Sequence, residues 1–298
     1  VTSDYPDLVV FLPGIGGSSL VRDGRTIWGG TWAAMANAVL RGGLEALTLD
    51  VDAPNREDGV TVGQVVDDVQ ILPGLWKIEA YGQFCTRLAA TVGLVEGENF
   101  FRFAYDWRRD VRMSAHRLAE HVERWLHAWC EASGRQNARV VLVAHSMGGL
   151  VARHYVECLE GWRVVRRLIT LGTPHRGSLN ALGFLANGYA RGVGPFRADA
   201  TRPLRTFMSV YQLLPTYPCV EAGGELIRAS EATIPNIDGR SVQAAEFHRE
   251  LAAAAERNAG LEGYPNGYLS CLVSSRQPTF QSARLADTGV ELLEAIRG

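Results

Sequence analysis

The stretch Arg139-Val140-Val141-Leu142-Val143-Ala144-His145-Ser146-Met147-Gly148-Gly149 decides the fold. A short apolar, β-branched run stops at a serine, and a helical pattern of Leu150, Val151, Tyr155 and Leu159 follows at once. The spacing predicts a strand, a sharp turn and a helix. In a nucleophile elbow the serine sits on a strained turn, so the side chains two before and two after it must be small. Here they are Ala144 and Gly148. Alanine replaces the usual first glycine, yet it adds only a methyl group. The helix that follows would point its N-terminal amides at an oxyanion.

Working outward, Leu8–Leu12 is a continuous apolar run ending in Pro13-Gly14-Ile15-Gly16-Gly17-Ser18-Ser19. It reads as a buried parallel strand followed by a glycine-rich loop with exposed amides. No Gly-Lys-Ser/Thr follows, which excludes a Walker phosphate loop. The alternative is the second half of an oxyanion hole, with Ile15 as the donor, against a plain strand-to-helix connection. Phe100–Phe103 forms another strand, ending in Tyr105-Asp106-Trp107-Arg108-Arg109, where an Asp–Arg pair is expected to anchor the loop. From Val111 to Trp129 apolar residues step by four and three, a long amphipathic helix stopped by Gly134. Val164–Leu171 is the next buried strand, and Tyr268–Ser274 resumes the sheet.

Other segments are read as a helix over Ile78–Val92, a weakly alternating strand over Glu45–Asp52, and an apolar stretch at Val65–Leu72 closed by Pro73-Gly74. Trp28–Leu40 reads as an amphipathic helix and candidate lid. Leu179 to about Pro265 breaks the strand–helix rhythm: it is read without strands and with one helix near Ser241–Asn258. The expected fold class is therefore α/β: a mostly parallel sheet with helices on both faces and an inserted cap. Residues 1–178 form the first part of the core, 179–265 the cap, and 266–298 an incomplete C-terminal part of the core that includes a hairpin over Thr279–Leu293.

The chain has 298 residues, 47% of them hydrophobic, and a formal net charge of -2. That balance, without basic runs, excludes nucleic acid as an expected partner. No apolar run approaches the about 20 residues that span a bilayer. Five scattered cysteines, odd in number and without C-x-x-C spacing, suggest neither a disulfide framework nor a zinc site. A reducing, cytoplasmic compartment is expected, and no metal or cofactor.

Several pieces occur together in an order that resembles the lecithin:cholesterol acyltransferase-like proteins of the α/β-hydrolase superfamily, which include lysosomal phospholipase A2 and phospholipid:diacylglycerol acyltransferases. They are Val10–Ser18, Tyr105-Asp106-Trp107-Arg108, Ala144–Gly149, Leu171–Ser178, Leu214-Pro215 and Gln277-Pro278-Thr279. Tyr-Asp-Trp-Arg is the most specific of them. The resemblance implies an enzyme that transfers an acyl group from a lipid ester to water or an alcohol, with possible contact at a membrane interface. It implies Ser146 as the nucleophile and the amides of Ile15 and Met147 as the oxyanion hole. The cysteine pair that staples the lid in secreted members is missing.

A serine needs a histidine to take its proton. His116, His121, His127 and His154 fall on predicted helices; His145 points away along the strand; His175 follows the next strand and reads as a turn residue or pocket lining; His248 reads as surface. In this fold the order is Ser, then acid, then His after the final strand. No histidine follows His248, and Asp287, Glu291 and Glu294 are weak candidates for the acid. The expectation is that acid and histidine lie outside these residues, on a longer chain or a separate C-terminal chain or domain. The rivals are a catalytically incomplete shell that binds lipid or protein, and a peptidase or small-ester hydrolase. Phe184, Leu185, Tyr189, Phe196, Leu213 and Leu214 are expected to wall an apolar tunnel to Ser146.

Overall fold

Alternate residues of the apolar runs face opposite sides of one sheet, and both sides are covered. The computed structural model describes residues 3–29, 43–53, 56–67, 69–70, 77–78, 81–191, 198–276 and 279–294. Five strands form the central sheet: β1 (Leu8–Leu12), β2 (Phe100–Arg102), β3 (Val140–His145), β4 (Val165–Leu171) and β5 (Leu269–Leu272). Their order is β5-β4-β3-β1-β2, and every pair is parallel. The register sets Leu12 beside Ala144 and His145 beside Leu171, so the C-terminal ends of β1, β3 and β4 meet at one edge.

Leu8, Val10 and Leu12 join Leu142, Ala144 and Leu168 in the larger core, beneath helices α2 (Val111–Ser133) and α3 (Gly148–Cys158). Val9, Phe11, Val141 and Val143 face the other way, against Tyr81 and Cys85 of helix α1 (Tyr81–Val92). Helix α2 starts where the Asp110 side chain accepts from the Arg112 amide at 2.8 Å, and stops at Gly134, whose φ of 70° suits a residue without Cβ. α2 and the two runs flanking the elbow follow the sequence reading; α1 begins at Tyr81, not at the expected Ile78, which pairs with Val69 in a two-residue ladder.

Other segments depart from it. Glu45–Asp52 is not a strand; a short 3-10 helix covers Gly43–Leu47, because the buried leucines Leu44 and Leu47 stand three apart, the period of that helix. Residues 60–65 pair with a hairpin of Ser18–Arg22 and Arg25–Trp28, ending where the expected apolar stretch began. The expected helix over Trp28–Leu40 lies, beyond its first two residues, outside the described residues.

The insertion contains helix α4 (Leu179–Asn187), helix α5 (Arg240–Ala259) and short strands that three-residue runs do not announce. Val220–Ala222 and Glu225–Ile227 form a hairpin. The expected C-terminal hairpin is present as Ser282–Ala286 and Gly289–Leu293, but it pairs with Val220–Ala222 instead of the central sheet. The sheet therefore ends at β5, where Leu272 is 53% exposed.

Candidate active site

Ser146 sits between β3 and α3 with φ 51°, a conformation that L residues other than glycine rarely adopt. Its amide donates to Leu171 O at 2.9 Å, which holds the strained turn against β4. The small neighbours are required by contact. A Cβ on Gly148 would lie 2.4 Å from Pro13 O, and one on Gly149 would lie 2.0 Å from Thr173 Oγ1. Across the turn, a Cβ on Gly14 would lie 2.9 Å from Ser146 Cβ and 3.4 Å from its Oγ, so the glycine-rich loop passes directly over the serine.

Aromatic side chains hold that loop. Tyr105 and Trp107 donate to Pro13 O at 2.7 Å and Ser18 O at 3.0 Å, and the Trp28 indole donates to Gly16 O at 2.7 Å. The Gly14 amide donates to the Tyr81 hydroxyl at 2.9 Å, which leaves that hydroxyl's proton for His145 Nδ1 at 2.7 Å. Burial raises the Tyr81 pKa and lowers that of His145, so both stay neutral near pH 7. Among the described residues the Ile15 and Met147 amides donate to no protein acceptor. The sequence does not announce Tyr81 and Trp28 as holding the loop, since Tyr81 reaches it from 67 residues away and Trp28 from 12.

The other half of the Tyr-Asp-Trp-Arg run is an ion-pair cluster. Arg108, fully buried, reaches Asp106 at 2.8 Å and Asp58 at 2.9 Å, while Arg109 reaches the same two carboxylates at 3.1 and 2.9 Å. Burial alone would raise the Asp58 pKa; Arg108 and Arg109 outweigh it and hold the carboxyl below its usual range. Asp106 is an anchor, as the sequence suggested, and lies in no contact with Ser146.

No histidine of the described residues hydrogen-bonds to Ser146 Oγ. His175 Nε2 meets Thr170 Oγ1 at 3.2 Å and Cys271 Sγ at 3.7 Å, and burial, with the Arg153 charge, lowers its pKa to about 4. His248 is not on the surface: half-buried, it donates from Nε2 to Gln212 O at 2.8 Å. His154 packs inside, 3.5 Å from Glu250. That carboxylate is in turn held by Arg112 at 2.7 Å, tying α5 to α2 and α3. Asp287, Glu291 and Glu294 belong to the C-terminal hairpin region.

An apolar cavity opens beside Ile15, lined by Trp28, Trp107, Phe184, Phe207 and Leu213 among others. Of the expected tunnel residues Phe184 and Leu213 line it, Leu185 and Tyr189 are packed in the core, Leu214 borders a different cleft, and Phe196 lies outside the described residues. Ser146 itself is not in the cavity wall.

The lecithin:cholesterol acyltransferase family model matches residues 64–250, well over half of the sequence. The chain belongs to the lecithin:cholesterol acyltransferase family. An uncharacterized protein of Saccharomyces cerevisiae, YJR098C, is 28% identical over 136 residues; the match covers 45% of this chain and 19% of that protein. The family member thus spans about a fifth of its curated relative. Among solved structures, the Tle4-Tli4 complex aligns over 91% of this chain and 74% of the other, at 17% identity and a TM-score of 0.54. The mature Bacillus licheniformis lipase BlEst2 aligns over 63% and 49%, at 16% identity and a TM-score of 0.32. The fold is that of an α/β-hydrolase: a central parallel sheet flanked by helices.

Proposed function

We propose that this protein is a serine esterase or O-acyltransferase acting on lipid acyl esters, of the phospholipase A or acyltransferase type. The observation that carries the reading is the strained Ser146 beneath the Gly14 loop, with two undirected amides beside it. In this reading Ser146 Oγ attacks the acyl carbonyl, and the amides of Ile15 and Met147 hold the tetrahedral oxyanion. Collapse expels the alcohol and leaves an acyl-serine, which passes its chain to water or to a second alcohol. The apolar lining of the cavity at Ile15, about 50 Å³ in volume, favours a nonpolar group beside the glycine-rich loop. The Tyr81 and Tyr105 hydrogen bonds position the loop rather than touch substrate.

The base and the acid come, in this proposal, from outside residues 1–298, because three of the histidines are engaged elsewhere: His145 with Tyr81, His175 with Thr170, His248 with Gln212. The same engagement favours a second reading, a catalytically incomplete shell that binds lipid or a protein. A fluorophosphonate probe separates them, since it labels only an activated serine. Labelling of the full gene product, lost in Ser146→Ala with the circular dichroism spectrum unchanged, is expected. An unlabelled wild-type serine, or a Ser146→Ala protein with wild-type turnover on phospholipid micelles, would sink the enzyme reading.

A further inference from the structure

A second cleft, of about 570 Å³, opens between α3, the loop after β4 and helix α5. Its walls carry Arg153, His175, Arg176, Arg228, His248 and Arg249. Two of these cations are neutralised: Arg228 pairs with Glu231 at 3.1 Å, and Arg249 pairs with Glu246. Arg153 and Arg176 have no carboxylate partner among the described residues; Arg176 lies 5.3 Å from the Tyr217 ring. Moreover, two buried polar atoms of the lining have no hydrogen-bond partner, Arg153 Nε and His175 Nδ1. A native interior seldom leaves such groups unpaired, because each has given up its hydrogen bonds to water without replacing them.

His175 Nε2 lies 3.2 Å from the Thr170 hydroxyl, which can donate or accept, so either ring nitrogen can carry the proton. His248 donates Nε2–H to Gln212 O, so its Nδ1 is a lone pair that becomes a donor only on protonation. The cleft therefore offers two unneutralised guanidiniums, Arg153 from α3 and Arg176 from the loop after β4. Several donors converging from different directions suit a group with three or more strong acceptor oxygens, and guanidinium forks match phosphate geometry. We propose that this cleft binds a phosphate group, either as a free phosphate ion or as the phosphoester headgroup of a lipid. The site does not depend on Ser146 being a nucleophile.

The test is binding, with no activity readout. Inorganic phosphate and, separately, glycerophosphocholine are titrated by calorimetry into the Ser146→Ala protein, in chloride matched for ionic strength, and compared with added Arg153→Met and Arg176→Met substitutions. The imidazole resonances of His175 and His248 are followed in parallel. Saturable binding is expected, weakened about tenfold or more by either arginine substitution, with the His175 titration midpoint moving up from about 4. Binding of phosphate alone identifies the free ion as the occupant; binding of glycerophosphocholine identifies a headgroup. Should Arg153→Met fail to fold, Arg176→Met on its loop keeps the comparison. Neither compound binding, or binding that both folded variants retain in full, would overturn the site.

Discussion

Tyr81 illustrates what one hydroxyl can hold. It bridges the Gly14 amide of the glycine-rich loop and His145 Nδ1 at the elbow, and it comes from a helix more than 60 residues from either. Tyr81→Phe would leave two buried polar groups unpaired, a cost of about 1–3 kcal/mol each if no water enters. The expected outcome is a lower urea midpoint at unchanged slope. Phe11 and His145, which pack on the ring, should keep their places because the ring itself remains. Retention of the full wild-type midpoint would mean that the bridge contributes nothing.

His175 gives a pH dependence whose sign can be worked out. Its folded pKa, about 4, lies below the unfolded value of about 6.5 because burial, and then Arg153, disfavour the imidazolium. Above pH 6.5 both states are neutral and the group has no effect. Between 6.5 and 4 the unfolded chain takes up the proton and the folded chain does not, so stability falls as pH falls through that window. His175→Gln should flatten this part of the curve of Tm against pH. A curve of identical slope in the variant would assign the loss to other groups.

Among the elements, the Tyr105–Arg109 turn joins two functions that alternate residue by residue. Tyr105 and Trp107 face the glycine-rich loop; Asp106 and Arg108 turn toward Asp58. Removing Arg108 would strand two carboxylates in a poorly solvated place, which in comparable cases costs about 3–5 kcal/mol. Because Arg109 still contacts both, Arg108→Met should fall near the lower end, about 3 kcal/mol, measured by chemical denaturation. A change below 1 kcal/mol would show that Arg109 alone suffices.

The strands and the elbow were legible in the sequence because parallel strands buried on both faces are written as uninterrupted apolar runs, and a serine between small residues has few other uses at their end. The Asp–Arg pair was legible because its partners are two residues apart. The tethers of the loop were not, since nothing in Tyr81 or Trp28 records which carbonyl or amide it will meet. The insertion's strands were not legible either: three-residue ladders such as Val220–Ala222 have no period to detect, and their pairing with the C-terminal hairpin spans about 60 residues. Glu45–Asp52 misled because Leu47, Leu49 and Val51 stand two apart as in a strand, while the turn over Gly43–Leu47 is set by Leu44 and Leu47.

At the scale of the whole molecule, the question is where the proton of Ser146 goes. In the proposed mechanism the elbow gives Ser146 its position and the amides of Ile15 and Met147 hold the negative charge, but neither takes the hydroxyl proton. His145 cannot serve while its Nδ1 is bound by Tyr81, and its ring lies on the face of α1. His175 and His248 border the second cleft, with their pKa values lowered by burial and by nearby arginines. The face of the sheet near β5 is open as well: Leu272 is 53% and Val273 77% exposed beside the half-buried Ile169 and Leu171 of β4. An element packed there would cover these side chains and could bring an imidazole to the edge where Ser146 lies. We therefore expect residues 1–298 alone to hydrolyse phospholipid or soluble esters far below ordinary enzymatic turnover, with residual catalysis from binding and the oxyanion amides only. Intact-mass measurement of a homogeneous 1–298 protein, assayed beside the full gene product, decides the matter. If the isolated 298 residues turn over esters as fast as the full product, the base lies among the seven histidines already present, and His175→Gln and His248→Gln would be the substitutions to separate them.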